Sequence, residues 1–260
     1  MNFDYWNKNE IKIAKDFIKN GYVIFPVNKK KLNILQKTIS VFAGNKNQDP
    51  TVFLNNFKVK KNKNDLNKIR VSIIKKINNE KKFRKIFFEI ARNSLEVLIG
   101  NEICMQKNLN LSIQLPRDNS SLLPLHADVL NGDSPFEVVQ WLPFVDCYKT
   151  KTMYLLPANK SKNYLKLIKK NQNKGTDVIY KKIKKNLIWL NVPYGNCVIF
   201  NQNLFHGNIV NKEEETRWSI NCRYKSLFSP YKDKKFDEFF EPIIIRPATK
   251  IGLEFKFPTI

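Results

Sequence analysis

The chain is poor in the residues from which small functional sites are usually built. It has two histidines and four cysteines in 260 residues. Cys104, Cys147, Cys197 and Cys222 are widely spaced and form no C-x-x-C pair, which argues against a zinc ribbon or a small disulfide scaffold. A reduced, cytoplasmic protein is the expectation. No run approaches the ~20 consecutive apolar residues that a membrane helix needs. Met1–Trp6 carries no basic-then-apolar leader pattern. There is no internal repeat and no linker-like stretch, so one domain over residues 1–260 is expected.

Negative charge is scarce too. Lysine and arginine number 46 against 23 acidic residues, a net charge of +23. That balance raises the question of a nucleic acid or an anionic membrane surface as partner. Lysine supplies nearly all of the charge, because only seven arginines occur: Arg70, Arg84, Arg92, Arg117, Arg217, Arg223 and Arg246. Lysine and asparagine are scattered throughout, as an AT-rich genome would produce. The densest runs, 29–31, 58–63 and 181–185, are not interleaved with aromatics in the manner of single-strand binders. A compositional origin is the preferred reading, and an anionic small-molecule substrate is compatible with it.

What is present falls into two halves. Helical periodicity dominates to about residue 100: Asn9–Asn20 (closed by Gly21), Lys30–Phe42, Asp65–Asn79 and Lys82–Ile99, with a short strand at Tyr22–Phe25 and an irregular stretch at Ala43–Asn64. Strands follow at Cys104–Leu115, Phe136–Cys147, Thr152–Leu156, Leu187–Leu190, Cys197–Phe200 and Arg217–Phe228. Lys160–Lys170 reads as a short helix, Asn171–Asn186 as a basic insertion, and Glu241–Arg246 and Leu253–Phe257 as an edge strand and tail. Helices first and strands afterwards indicate an α+β arrangement.

Both histidines sit in suggestive places. His126 is two residues before Asp128 in Leu123-Pro124-Leu125-His126-Ala127-Asp128-Val129, and an extended strand would send both to one face. His206 follows in Asn203-Leu204-Phe205-His206-Gly207-Asn208. Two imidazoles and one carboxylate leave coordination positions open and suit a non-heme Fe(II) that activates O2. Downstream, Thr216–Tyr224 alternates. Arg217, Ser219, Asn221 and Arg223 share one face, and Trp218, Ile220, Cys222 and Tyr224 the other. A cationic face on a core strand is explicable if it lines a cavity holding an anion. Arg217 offers a planar fork to a carboxylate, to which Ser219 can add a hydroxyl.

H-x-D, a distant H and then R-x-S eleven residues on resembles the Fe(II)/2-oxoglutarate-dependent oxygenases. The pattern is closest to the phytanoyl-CoA hydroxylase-like branch and to the sporadic oxygenases of carbohydrate clusters. Phe17–Phe25, Trp141–Asp146 and Met153–Pro157 share in the resemblance, which spans roughly Glu10 to Phe228. It implies a double-stranded β-helix (a cupin-like jelly roll, about 101–228) supported by N-terminal helices (about 1–100), with a C-terminal extension at 229–260. His126, Asp128 and His206 would hold Fe(II), with 2-oxoglutarate as cosubstrate and O2 as oxidant. Arg217 and Ser219 would bind the distal carboxylate, with Gln114 and Asn208 beside the cosubstrate. Asn208 departs from the serine that relatives often carry there. Arg117, Gln140, Tyr154 and Arg223 are candidates for substrate contact, and Arg223 lies about 20 Å along the strand from Arg217 at ~3.3 Å per residue. Trp141 is expected in the core. The substrate implied is a sugar, nucleotide sugar or glycan precursor. The alternatives are an alkylated nucleic-acid demethylase, to which the R-x-x-x-x-x-R of Arg217 and Arg223 also conforms, and a non-catalytic carbohydrate-binding jelly roll.

Overall fold

The structure, a computed structural model, describes residues 1–59, 63–161 and 175–256. The helical half begins with α1 (Lys8–Asn20). Asn7 caps it by accepting from the backbone of Asn9 and Glu10, and Glu10 returns the bond to Asn7. Gly21 ends it at φ 79°, a left-handed turn that delivers the chain into β1 (Tyr22–Pro26). Then come α2 (Lys29–Phe42), α3 (Pro50–Asn55), α4 (Lys63–Asn79) and α5 (Lys81–Ile99). Of these, α3 falls in the stretch expected to be irregular. Asp49 caps it and Pro50 starts it, a local signal strong enough for a helix of six residues.

The strands form two antiparallel sheets. The larger runs β1, β7 (Asn196–Asn201), β4 (Val138–Pro143), β9 (Arg217–Ser226), β2 (Ile103–Gln106), β10 (Phe240–Ile244). The long strand expected over Cys104–Leu115 is two pieces, because it breaks at residues 107–109. Each piece pairs with its own part of β9: β2 with Tyr224–Ser226, and β3 (Asn110–Gln114) with Arg217–Asn221. The smaller sheet is β6 (Ile188–Trp189), β5 (Tyr154–Leu155) and β8 (His206–Gly207).

The two faces of β9 have opposite surroundings. Outward, Trp218, Ile220, Cys222 and Tyr224 are completely buried beneath the helices. The Trp218 indole N–H donates to the Leu54 carbonyl of α3 (2.9 Å), and its ring meets Phe57 edge-on. Tyr224 packs on Phe88 of α5. Inward, β9 faces the smaller sheet across a cavity. That sheet is covered on its far side by a separate cluster of Leu125, Tyr154, Leu156, Ile179, Ile183 and Phe205. Ile179 and Ile183 come from a helix over Thr176–Ile183, within the span expected as an insertion. The expected Lys160–Lys170 helix lies almost wholly outside the described residues. The expected edge strand is β10, and a last helix, Pro247–Glu254, not read from the sequence, runs into the expected tail. No helix among the described residues is long and apolar enough to cross a membrane.

Candidate active site

His126 and His206 are brought together by backbone pairing. The His126 amide donates to the His206 carbonyl (3.0 Å) and the His206 amide to the His126 carbonyl (2.8 Å). This reciprocal bridge sets the imidazoles side by side, ring centres 4.2 Å apart. Asp128 is not on a strand. After extended Ala127 it opens a short 3₁₀ turn, Asp128–Asn131, and the turn swings its carboxylate in toward both rings. One Oδ lies 3.5 Å from His126 Nε2 and the other 3.9 Å from His206 Nε2. One potential ligand atom from each residue lies within 4.8 Å of the others.

Each imidazole is also oriented from behind. His126 Nδ1 meets the Pro124 carbonyl at 2.8 Å, and His206 Nδ1 the Leu204 carbonyl at 3.0 Å. A carbonyl only accepts, so each Nδ1 carries the proton. In a neutral ring the free lone pair is then on Nε2, the tautomer a metal ligand needs. Burial alone would lower His126, but hydrogen bonding to Asp128 and to the Pro124 carbonyl outweighs it and raises it, so in the absence of a metal this ring is drawn toward its protonated form beside Asp128. Burial, reinforced by neighbouring His126, holds His206 down to about 4, so it is neutral near pH 7. Burial alone would raise Asp128, but hydrogen bonding to His126 and the charges of His206 and Arg223 outweigh it. Its carboxyl falls to about 2. Two imidazole nitrogens and one fixed carboxylate are a donor set that fits a divalent transition metal.

Arg223 is closer to this cluster than a rim residue. It bridges two buried carboxylates, Asp128 at 3.3 Å and Asp133 at 2.8 Å. Lys234 completes the pairing of Asp133 at 2.6 Å. The C-terminal segment thereby straps the turn that carries Asp128. Asp233 donates its amide to the Gly132 carbonyl, Lys232 reaches the Val129 carbonyl, and Ser134 donates to the Pro230 carbonyl. Gly132 has φ 90°, and a side chain there would collide with the Asp233 carboxylate.

Two neighbouring spaces lie against the triad, the smaller one touching only His206. The larger, about 370 Å³, is lined by His126, Asp128, His206 and Arg223 together with Arg70, Asn110 and a run of serines. The smaller, about 50 Å³, runs past His206, Trp141 and Met153 to Arg217. Ser112, Phe200 and Asn221 line both. Arg217 is buried, its guanidinium held by the Thr152 carbonyl and Ser112 Oγ, both at 3.1 Å. Burial lowers it to about 10, which still leaves it charged near neutral pH. Four buried polar atoms around it have no partner: Arg217 Nε, Ser219 Oγ, Thr152 Oγ1 and Asn221 Oδ1. Unpaired buried polar atoms are costly in a finished protein. An unpaired Nε on a buried guanidinium that lines the slot fits an incoming carboxylate.

Of the other sequence candidates, Asn208 lines the slot and the rest lie elsewhere. Gln114 is Arg217's cross-strand partner, but its amide is spent on the Ile209 carbonyl (2.6 Å). Asn208 clasps the loop before His126, accepting from Leu123 N (2.7 Å) and donating to Ser121 O (3.2 Å). Gln140 and Trp141 are exchanged relative to expectation. Gln140 points out to the Phe87 carbonyl on α5 (2.9 Å), and Trp141 lines the slot. Every residue of β4 is buried, so its sequence holds no polarity cue to tell one face from the other. Tyr154 points away from the cavity and packs on Trp189 and Tyr180. Its hydroxyl sits where a Gly207 side chain would be, which explains that glycine. Arg117 is at φ 57° on the surface, paired with Glu214, and does not reach the cavity. Arg70, Ser112 and Met153 were not singled out from the sequence. Arg70 stands on a lysine-rich helix, and nothing in that pattern marks it.

No protein-family model matches the sequence, and no curated protein matches it. Solved structures do share its architecture. The non-heme monooxygenase ThoJ, in a nickel complex, is 11% identical with TM-score 0.57, over 91% of this chain and 85% of that one. HygX from Streptomyces hygroscopicus, with nickel and 2-oxoglutarate bound, is 9% identical with TM-score 0.53, over 88% and 90%. EctD from S. alaskensis, with 2-oxoglutarate and 5-hydroxyectoine, is 12% identical with TM-score 0.52, over 87% and 80%. Fold and comparison together define the class: an α+β double-stranded β-helix with a supporting layer of helices.

Proposed function

We propose that this chain is an Fe(II)- and 2-oxoglutarate-dependent dioxygenase of one domain, acting in the cytoplasm on a small polar substrate. The observation that carries the reading is a joint one. His126, Asp128 and His206 converge, and a neighbouring slot ends on a buried arginine whose Nε is unpaired. HygX and EctD, which share the fold, were solved with 2-oxoglutarate. By the sequence resemblance the substrate is a sugar, nucleotide sugar or glycan precursor, and the branch is the phytanoyl-CoA hydroxylase-like one.

Fe(II), with 2-oxoglutarate and O2, would supply the oxidising chemistry. The protein contributes placement. The Pro124 and Leu204 carbonyls keep both Nδ1 atoms protonated, so both Nε2 atoms are available as ligands. Arg223 holds Asp128 in its anionic form and fixes its direction. Arg217 receives the distal carboxylate of the cosubstrate, with Ser219 and Thr152 as further donors. Trp141 and Met153 wall the slot and exclude water, which strengthens each of these interactions.

Among the described residues no lysine lines either space, so the lysines that supply most of the positive charge there stay outside the site. That supports a small substrate over nucleic acid. The test is an anaerobic titration with Fe(II) and then 2-oxoglutarate, following the visible iron-to-keto-acid charge-transfer band. The band is expected in the wild type, absent in His206→Ala and weakened in Arg217→Ala. No band at any 2-oxoglutarate concentration overturns the reading in favour of a binding jelly roll.

A further inference from the structure

In a chain with only seven arginines, what each one pairs with is informative. Arg84 pairs with Glu241, Arg92 with Glu96, Arg117 with Glu214, Arg246 with Glu96, and Arg223 with Asp128 and Asp133. Two have no carboxylate partner among the described residues. One is Arg217, at the end of the slot. The other is Arg70, on the wall of the larger cavity.

Arg70 is held but not neutralised. Its guanidinium donates to Ser121 Oγ (2.6 Å) and, at 3.4 Å, to the Ile113 carbonyl, both uncharged. Its Nε is buried without a partner. The acid nearest in influence, Asp118, is turned to its own loop, where it accepts from the Ser120 amide (3.0 Å) and hydroxyl. Ser121 in turn donates to Ile113 O (2.6 Å), so the guanidinium is fixed in direction before any ligand arrives. A guanidinium rather than an ammonium, in a chain that otherwise uses lysine, suits an oxyanion that can take two parallel hydrogen bonds, a carboxylate or a phosphate. Around it are Asn110, Ser112, Ser120 and Asn221, a lining suited to a hydroxyl-bearing body. A cavity of about 370 Å³ admits a single small molecule.

We infer that the substrate carries a phosphate or carboxylate, and that Arg70 receives it while the rest of the molecule extends toward His126, Asp128 and His206. This rests on the oxygenase reading for the chemistry at the far end, but not for the anion site itself.

The test reads the unpaired atom directly. Seven Nε–Hε signals are few enough to resolve by nitrogen–proton NMR, and that of Arg70 is identified by its loss in Arg70→Lys. The full-length chain is titrated with inorganic phosphate, with acetate and with chloride at matched ionic strength. A saturable shift of the Arg70 signal by phosphate or acetate, but not by chloride, is the expected result, and the stronger of the two names the group. No shift with either, an equal shift with chloride, or a parallel drift of all arginine signals overturns the inference. The charge-transfer band separates the two proposals. A band with a silent Arg70 removes only the anion site. A responsive Arg70 without a band removes only the oxygenase.

Discussion

The two faces of β9 are built from neighbouring residues and do opposite things. Trp218, Ile220, Cys222 and Tyr224 are completely buried, and Trp218 reaches a partner for its one polar group. Arg217, Ser219 and Asn221 are mostly enclosed too, yet each keeps a polar atom without a partner. A side chain on the first face finishes the fold. One on the second leaves an opening that the fold alone does not close. Burial alone therefore does not distinguish a structural residue from one that awaits a ligand. Nor does an unpaired polar atom alone, since the Tyr224 hydroxyl on the first face lacks a partner too; what sets Arg217 and Asn221 apart is that they also line the cavity.

That contrast makes adjacent residues separable by experiment. Trp218→Ala should cost about 3–5 kcal/mol of stability, read as a lower urea midpoint, while the charge-transfer band survives wherever the variant is folded. Arg217→Met should do the reverse. Removing a buried charge that has no ion pair relieves its desolvation cost, which offsets the loss of the hydrogen bonds to Thr152 and Ser112, so stability should change little. The lost charge-assisted bonds should weaken 2-oxoglutarate binding by about 30–100-fold, equivalent to about 2–3 kcal/mol. Equal stability losses in the two variants would break the contrast.

A smaller effect comes from behind the metal turn. Burial, with Asp133 nearby, pushes Glu137 up to about 7 from 4.5. Between those values the folded state binds more protons than the unfolded one, so this group's contribution falls as pH rises. His206 is depressed to about 4 from 6.5, so there the unfolded state binds more protons and stability rises with pH. Over most of the range the two slopes oppose each other. Glu137→Gln should therefore leave the metal-free protein with a steeper rise in stability from pH 4.5 to 7 than the wild type. The difference is on the order of 3 kcal/mol, measured by urea midpoints across that range. The smallest effect belongs to the exposed Arg117–Glu214 pair. Arg117→Ala should change stability by no more than about 0.5 kcal/mol and leave the band intact.

The triad was legible in the sequence because histidine is so rare here: both copies fell into one pattern, and Arg217 followed at a matching interval. The alternation along 217–224 likewise marked the cavity face of β9. Position on β4 was not legible, since its uniformly buried residues give no phase, and Gln140 and Trp141 were exchanged. The i, i+2 spacing of His126 and Asp128 suggests a strand, whereas a 3₁₀ turn at Asp128 achieves the same convergence. Arg70 was invisible for a different reason. Its significance lies in the absence of an acid beside it, and only three dimensions show that absence.

The strap across the metal turn has a consequence for how the protein is made. His126 and Asp128 leave the ribosome long before Lys232, Asp233 and Lys234, which hold their turn in place. During synthesis the turn therefore waits, unsupported, for more than a hundred residues. His206 and Arg223 also arrive late. An ion captured early would meet an incomplete ligand set on an unanchored loop. The order of residues along the chain thus places completion of the His126, Asp128 and His206 cluster near the end of translation, when most of the sheet that shields it already exists.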